Sequence, residues 1–358
     1  MRPLIVIGTR PEAIKLAPVA RALPEARVAL SGQHDASIIR PILDYFGIGR
    51  RRTAAQRVHI AGYGLAQSFA AAVEWITPIA AKASCVIVQG DTTTATAGAL
   101  AGFYAGVPVV HVEAGLRTYD SVPYPEEANR RMISAVAAVH CCPTEQAAEN
   151  LRRERVQGRI EVTGNTVVDA IQWTLERDAT PSSYDVLVTC HRRESQGRAA
   201  EMIAEAVDML AWTYPDVRFA WSLHPNPNAK PHVLRRVECI PPPDYPRWVR
   251  MMATADLILT DSGGIQEEAA ILGKPCLVLR DSSERPEAVE CGACRIVGTD
   301  PDRIVAEASR VLDGESWPIS PHPFGDGHSG ERIAKIVREL TNCQLEEHEQ
   351  CQSITTRS

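Results

Sequence analysis

The sequence predicts an α/β protein of two domains, each built around a parallel sheet, on three observations. Short apolar runs alternate with longer amphipathic ones along the chain, which is the pattern of βα units. The alternation restarts after a junction at residues 164–181. At 358 residues the chain is also too long for one ordinary domain.

In the first half "PLIVIG" is a strand, and "RPEAIKLAPVARAL" is a helix opened by Pro11 near its first turn. "RVALSGQ" and "CVIVQG" are strands, "TATAGALAGFYAG" a helix, and "VPVVHVEAG" the next strand. After a proline-rich loop come the helix "EEANRRMISAVA", the strand "VHCCPT", the helix "EQAAENLRRER" and a closing strand, "RIEVTGN". The second half repeats the alternation: "DVLVTCHRRES", "AAEMIAEAVDMLAWTY", "RFAWSLHPNP", "DLILTDSGG", "IQEEAAILG", "PCLVLRD" and "ACRIVG". "GERIAKIVREL" is the last good helix. Residues 343–358 fall in a polar stretch without a sustained apolar period, which predicts a frayed tail.

Composition is that of a soluble globular protein, 45% apolar and 23% charged. A net charge of -6 favours neither nucleic acid nor an anionic membrane. No stretch has the roughly 20 apolar residues of a membrane span, and "MRPLIVIGTRP" lacks the apolar core of a signal peptide, so a cytoplasmic enzyme is expected. The ten cysteines are scattered, and Cys291-x-x-Cys294 has no second pair at metal-binding spacing, so reduced structural thiols and no metal site are expected.

Ligands of open α/β sheets bind beyond the carboxyl ends of strands. Six polar clusters fall at such ends: Gly8-Thr9-Arg10, Gly90-Asp91-Thr92, His111 to Arg117, His191 to Glu194, His224-Pro225-Asn226 and Asp261 to Gly264. Ser262-Gly263-Gly264 opens a helix, where backbone N–H groups and the macrodipole favour a phosphate, with Glu268 placed for a ribose diol. The plainer alternative is a helix cap made by Asp261 or Ser262. The turn matches neither the dinucleotide GxGxxG nor the Walker pattern. Arg10 and Lys15 offer cations at a strand-to-helix junction. Asp91, Glu113 and Glu126 are candidate acids; Glu113 ends an apolar strand, where an unpaired carboxylate is costly. A salt bridge from Glu113 to Arg117 or Arg130 is the structural alternative, and the sequence does not separate Glu126 from Glu127. His224 precedes a rigid Pro-Asn-Pro, and His191-Arg192-Arg193 adds local positive charge.

Taken in order, "GTRPEAIKLAP", "GDTTT", "HVEAGLRT", "PEEANR", "TGNTVVDA", "HRRES", "HPNPN", "LTDSGGIQEEA", "LGKP" and "ERPEAV" resemble the non-hydrolysing UDP-N-acetylglucosamine 2-epimerases over nearly the whole chain. The resemblance implies two Rossmann-like domains of the glycosyltransferase-B type with an interdomain cleft. On that pattern residues 1–165 and a returning helix at 325–342 form one domain, and 166–324 the nucleotide-binding one. It further implies a homodimer, UDP-GlcNAc and UDP as ligands, and no cofactor. By matching positions, Arg10 and Lys15 contact phosphates, Ser262, Gly263 and Gly264 form the diphosphate turn, Glu268 binds ribose, Arg285 contacts the nucleotide and Trp248 lies near uracil. Asp91, Glu113, Glu126 and His224 match catalytic positions. Gln33, His34, His191 and Arg192 fall in regions tied to the sugar or to an activating second UDP-GlcNAc; the chain departs from the family pattern there at Asp35 and Cys190, and beside the base at Pro243.

The chemistry expected of that family is reversible C2 epimerisation. Departure of UDP builds positive charge at C1 and acidifies C2–H, so a cationic clamp on the diphosphate and two acid/base groups reaching C2 are required. A same-family epimerase for another sugar nucleotide, a glycosyltransferase of the same fold, a hydrolysing epimerase and a non-catalytic sugar-nucleotide sensor are the rival readings.

Overall fold

The computed structural model describes residues 1–55, 64–121, 123–177, 180, 183–190, 197–223, 234–283 and 285–355, with side chains to residue 342. The chain divides into two compact units, Met1–Ala170 with Gly325–Ser358, and Ile171–Phe324.

In the first unit the strands are β1 (Arg2–Ile7), β2 (Arg27–Leu30), β3 (Thr53–Ala55), β4 (Ala83–Gln89), β5 (Val109–Val112), β6 (Val139–Cys142) and β7 (Arg159–Val162). They pair in parallel in the order β3-β2-β1-β4-β5-β6-β7. Helices α1 (Arg10–Ala22), α2 (Ala36–Tyr45), α3 (Leu65–Ala80), α4 (Thr93–Tyr104), α5 (Glu126–Val136) and α6 (Glu145–Glu154) alternate with them, and α7 (Thr166–Arg177) starts in this unit and ends in the second. β4 is buried along its whole length, as expected of a parallel strand covered on both faces. Its Val86 and Val88 pack with Leu4, Val6, Ile76 and the small residues of α4.

In the second unit the strands are β8 (Val186–Thr189), β9 (Phe219–Ser222), β10 (Glu238–Ile240), β11 (Leu257–Thr260), β12 (Cys276–Val278) and β13 (Cys294–Ile296), ordered β10-β9-β8-β11-β12-β13 and all parallel. Helices α8 (Arg198–Thr213), α9 (Tyr245–Thr254), α10 (Gly263–Ile271), α11 (Pro286–Glu290) and α12 (Pro301–Leu312) accompany them. Trp221, fully buried, sits in a core with Val188, Leu210, Leu259 and Leu277. In both sheets the strand order reverses direction at one place, between β1 and β4 and between β8 and β11, which defines two switch points.

The last helix, α13 (Ser329–Thr355), belongs to the first unit. Asp169 accepts hydrogen bonds from the N–H groups of Ser329 (3.3 Å) and Gly330 (2.7 Å), and Arg338 reaches the carbonyl of Ala22 at 2.6 Å. A Cβ on Gly330 would lie 2.9 Å from the Pro18 carbonyl carbon, so glycine permits this close packing on α1. The sequence predicts a frayed tail from residue 343, but the helix runs on to Thr355. Leu345, Glu346, Glu347 and Gln350 are good helix formers, so propensity extends the helix where no apolar stripe was evident. Among the described residues no helix is long and apolar enough to cross a membrane. The cysteines whose side chains are described are all free, and of those only Cys239 is exposed.

Candidate functional site

Arg10, Asp91 and Glu113 follow β1, β4 and β5 beside the first switch point, and Ser262, Gly263 and Gly264 follow β11 beside the second. In the first unit the chain leaves β1 through Gly8-Thr9 and enters α1, whose N-cap is Thr9; Thr9 and Glu12 form a reciprocal capping box, with Pro11 in the first turn. Arg10 is half-buried here, and its N–H donates to His34 Nδ1 at 3.2 Å. Gln33 Oε1 accepts from the Thr94 N–H (3.1 Å) and hydroxyl (2.7 Å). Gln33 and His34, placed on the sugar or effector side by resemblance, thus tie the end of β2 to the starts of α1 and α4.

β4 ends at Gln89 and turns through Gly90, whose φ of 70° suits glycine, to the half-buried Asp91. Asp91 is held on two sides. Arg130 Nε lies 2.8 Å from its Oδ2, and Asn129 Nδ2 donates to its carbonyl at 2.7 Å. Buried His111 on β5 meets the Gly90 carbonyl through Nε2 at 2.8 Å. Burial pushes the His111 imidazole down to about 3, so it is neutral.

Glu113 follows β5 at φ 62°, a left-handed conformation that costs a non-glycine residue energy and is concentrated at functional sites. Its Oε2 lies 2.5 Å from Lys15 Nζ and 2.9 Å from Gln89 Nε2. Of the arginines offered to it by the sequence, Arg117 engages Glu154 at 2.8 Å, and Arg130 bridges Asp91 and Glu127. Lys15, expected on a phosphate, is engaged with this carboxylate.

The two glutamates opening α5 also separate. Glu127 is buried and accepts from Thr118 N–H at 3.0 Å and Arg130 at 3.2 Å. Burial pushes its carboxyl up, but those donors outweigh it and hold the group below the usual carboxylate range. Glu126 is half-buried at the helix start. Gln89 and Glu12 are the residues that motif reading passed over. Gln89 is the polar last residue of an apolar strand, and Thr9-x-x-Glu12 is a legible capping signature.

In the second unit β11 ends at Thr260, Asp261 is fully buried, and α10 begins at Gly263. Ser262 is the N-cap residue, yet its side chain makes no capping bond; its N–H donates to Thr260 Oγ1 at 3.0 Å. The plain helix cap weighed for this turn is therefore not what Ser262 provides. Gly264 is exposed, and a Cβ there would meet nothing within 4 Å, so packing inside the chain does not require glycine at that position.

The adjacent glutamates of α10 divide as those of α5 do. Glu267 is buried with its Oε1 2.5 Å from Arg285 Nε, and Glu268 is half-buried. Ser283 Oγ donates to Gln266 Oε1 at 2.5 Å and accepts the Arg285 N–H at 3.0 Å, so α10 anchors both the turn and Arg285. Trp248 is 9% exposed on α9. His191, Arg192 and His224 lie outside the described residues. Among the described residues no cluster of three or more His, Cys, Asp or Glu is arranged to hold a metal ion.

A family model described as UDP-N-acetylglucosamine 2-epimerase matches residues 20–338. The UDP-N-acetylglucosamine 2-epimerase of Escherichia coli K12 is 42% identical, over 94% of this chain and 98% of the relative. Among solved structures, the UDP-GlcNAc 2-epimerase from Neisseria meningitidis bound to UDP-GlcNAc is 36% identical with a TM-score of 0.87, covering 95% of this chain and all of that one (100%). The Methanocaldococcus jannaschii UDP-GlcNAc 2-epimerase in complex with UDP-GlcNAc and UDP is 33% identical with a TM-score of 0.83, covering 95% and 100%.

Proposed function

Because the chain belongs to the UDP-N-acetylglucosamine 2-epimerase family and is an isomerase, we propose that it interconverts UDP-GlcNAc and UDP-ManNAc by eliminating UDP and adding it back. The observation that carries this reading is the pair of carboxylates, Asp91 and Glu113, at the ends of neighbouring strands β4 and β5, with Glu113 held at positive φ.

In the proposed reaction the C1–O bond to UDP breaks first, taking its electron pair to the diphosphate. The oxocarbenium character left at C1 acidifies C2–H. A carboxylate among Asp91, Glu113 and Glu126 removes that proton, and its electrons form the C1–C2 double bond of a glycal in an anti elimination. A second acid delivers a proton to the opposite face of C2 while UDP returns to C1. Elimination and addition balance without net oxidation, so the proposal needs no cofactor. The Ser262–Gly264 turn, Arg285, Arg10 and His224 are assigned to the diphosphate, Glu268 to the ribose and Trp248 to the base. Lys15 is assigned to Glu113 first. Its ammonium keeps a nearly buried carboxylate compensated in a place where it would otherwise be costly.

A cytoplasmic location and a homodimer belong to the same proposal; light scattering coupled to gel filtration tests the second. The activity is tested by NMR of UDP-GlcNAc incubated with the chain. Appearance of UDP-ManNAc with no free sugar supports the reading. Free ManNAc indicates a hydrolysing enzyme, UDP release only with an added acceptor a glycosyltransferase, and turnover of a different sugar nucleotide alone a changed substrate.

A further inference from the structure

We propose that Glu12 is a positioning residue whose buried carboxylate locks the β1–α1 and β4–α4 loops together, holding Arg10 and Asp91 in fixed relation for the epimerisation proposed above, on which this inference rests. Glu12 is 1% exposed. Its Oε2 accepts from the Gly8 N–H (2.8 Å), the Thr9 N–H (2.6 Å) and the Thr9 hydroxyl (2.9 Å), and its Oε1 accepts from the Thr92 hydroxyl at 2.6 Å. Thr9 is the residue before Arg10, and Thr92 the residue after Asp91. One side chain therefore joins the neighbours of two candidate site residues across the switch point between β1 and β4.

Helix capping does not account for this arrangement. A capping box asks of its glutamate only a bond to the N-cap N–H, which an exposed side chain can make. Glu12 also takes Gly8, the Thr9 hydroxyl and a residue 80 positions away. Its carboxylate is buried with no cation beside it in the described structure, a costly placement that a cap alone does not require. Burial raises its pKa to about 7, offset in part by the donors from Thr92, Gly8 and Thr9. The surroundings extend the lock. Thr92 caps α4 by accepting from the Ala95 N–H at 3.0 Å, and Ser31 Oγ meets Thr94 Oγ1 at 2.6 Å. One turn further along α1, Lys15 meets Glu113. The start of α1 is thus fastened by Glu12 to the loop bearing Asp91 and by Lys15 to the one bearing Glu113.

Two variants of the full chain test the assignment. Glu12→Ala removes all four bonds. Glu12→Gln keeps an oxygen for the β1 donors and turns its amide to Thr92, whose hydroxyl can accept. In the proposal, Glu12→Ala speeds amide exchange at both residues 8–10 and residues 91–95, and Glu12→Gln restores protection at both. With UDP-GlcNAc, kcat of Glu12→Ala falls about 10- to 100-fold, the scale of an ångström-level misplacement. KM changes by less, and Glu12→Gln recovers most of the rate. Faster exchange confined to residues 8–10 makes Glu12 a plain cap and overturns the proposal. So does loosening of both loops with a wild-type kcat, or a Glu12→Gln variant as slow as Glu12→Ala. If the wild type turns over no UDP-GlcNAc, the proposed function falls, and exchange at the two loops still decides whether the lock exists.

Discussion

Replacing Lys15 by methionine keeps the stem of the side chain and removes the ammonium 2.5 Å from Glu113 Oε2. The two side chains are 10% and 7% exposed, so solvent screens the pair little. Removing one partner of such a pair leaves an uncompensated charge and costs about 3–5 kcal/mol. Gln89, 2.9 Å from the same oxygen, recovers part of that. Glu113→Gln alone removes the carboxylate from the lysine instead, and the double variant removes both charges of the pair. The double variant is therefore less destabilised than the sum of the singles, by about 3 kcal/mol. Amide exchange of β4 in the intact chain reports opening of the first unit separately from the second. On that reading a coupling of this size is about a 100-fold difference in protection from the additive value. Protection of Lys15→Met within about threefold of wild type, below 1 kcal/mol, or simple additivity with Glu113→Gln, refutes the pairing.

Three further outcomes are expected. Glu113→Gln retains UDP binding by calorimetry while kcat falls about 10²- to 10⁴-fold; an unchanged kcat removes Glu113 from the chemistry. Arg285→Ala weakens UDP affinity, and an unchanged Kd takes Arg285 out of the diphosphate clamp. Burial raises Glu12 from the ordinary 4.5 to about 7. Between those values the folded chain keeps a proton that the unfolded chain has released, so this group lowers stability as pH rises, by up to about 3 kcal/mol. The penalty is absent below pH 4.5 and complete above pH 7. Urea unfolding of Glu12→Gln at these two pH values should show a shallower decline than wild type, and an equal decline contradicts the shift.

The alternation of apolar runs with amphipathic segments made the two parallel sheets legible, because a strand buried on both faces is a local compositional signal. "CVIVQG" and "DLILTDSGG" read directly as β4 and β11 with the turns that follow them. The candidate acids were legible too, since a carboxylate closing an apolar strand stands out. Their partners were not. Lys15 and Glu113 are 98 residues apart and Glu12 and Thr92 are 80 apart, and no periodicity encodes such pairings. The positive φ of Glu113 was equally hidden, because glycine alone advertises that conformation. Charge composition left Arg117 and Arg130 as plausible partners of Glu113, whereas the fold gives them Glu154 and Asp91. Adjacent glutamates were indistinguishable in the sequence. Burial separates them, sending Glu127 and Glu267 to arginines and leaving Glu126 and Glu268 half-buried. The extension of α13 to Thr355 was missed because its composition favours helix without an apolar face to announce one.

The proposed chemistry requires that carboxylates of the first unit exchange the hydrogen at C2 while UDP is detached. Incubation of UDP-GlcNAc with the chain in deuterated water, followed by proton NMR and mass spectrometry, tests this most directly. Loss of the C2 proton signal and a gain of one mass unit in both UDP-GlcNAc and UDP-ManNAc are predicted, with the exchange suppressed in Glu113→Gln. Interconversion of the two sugars with hydrogen retained at C2 would contradict it.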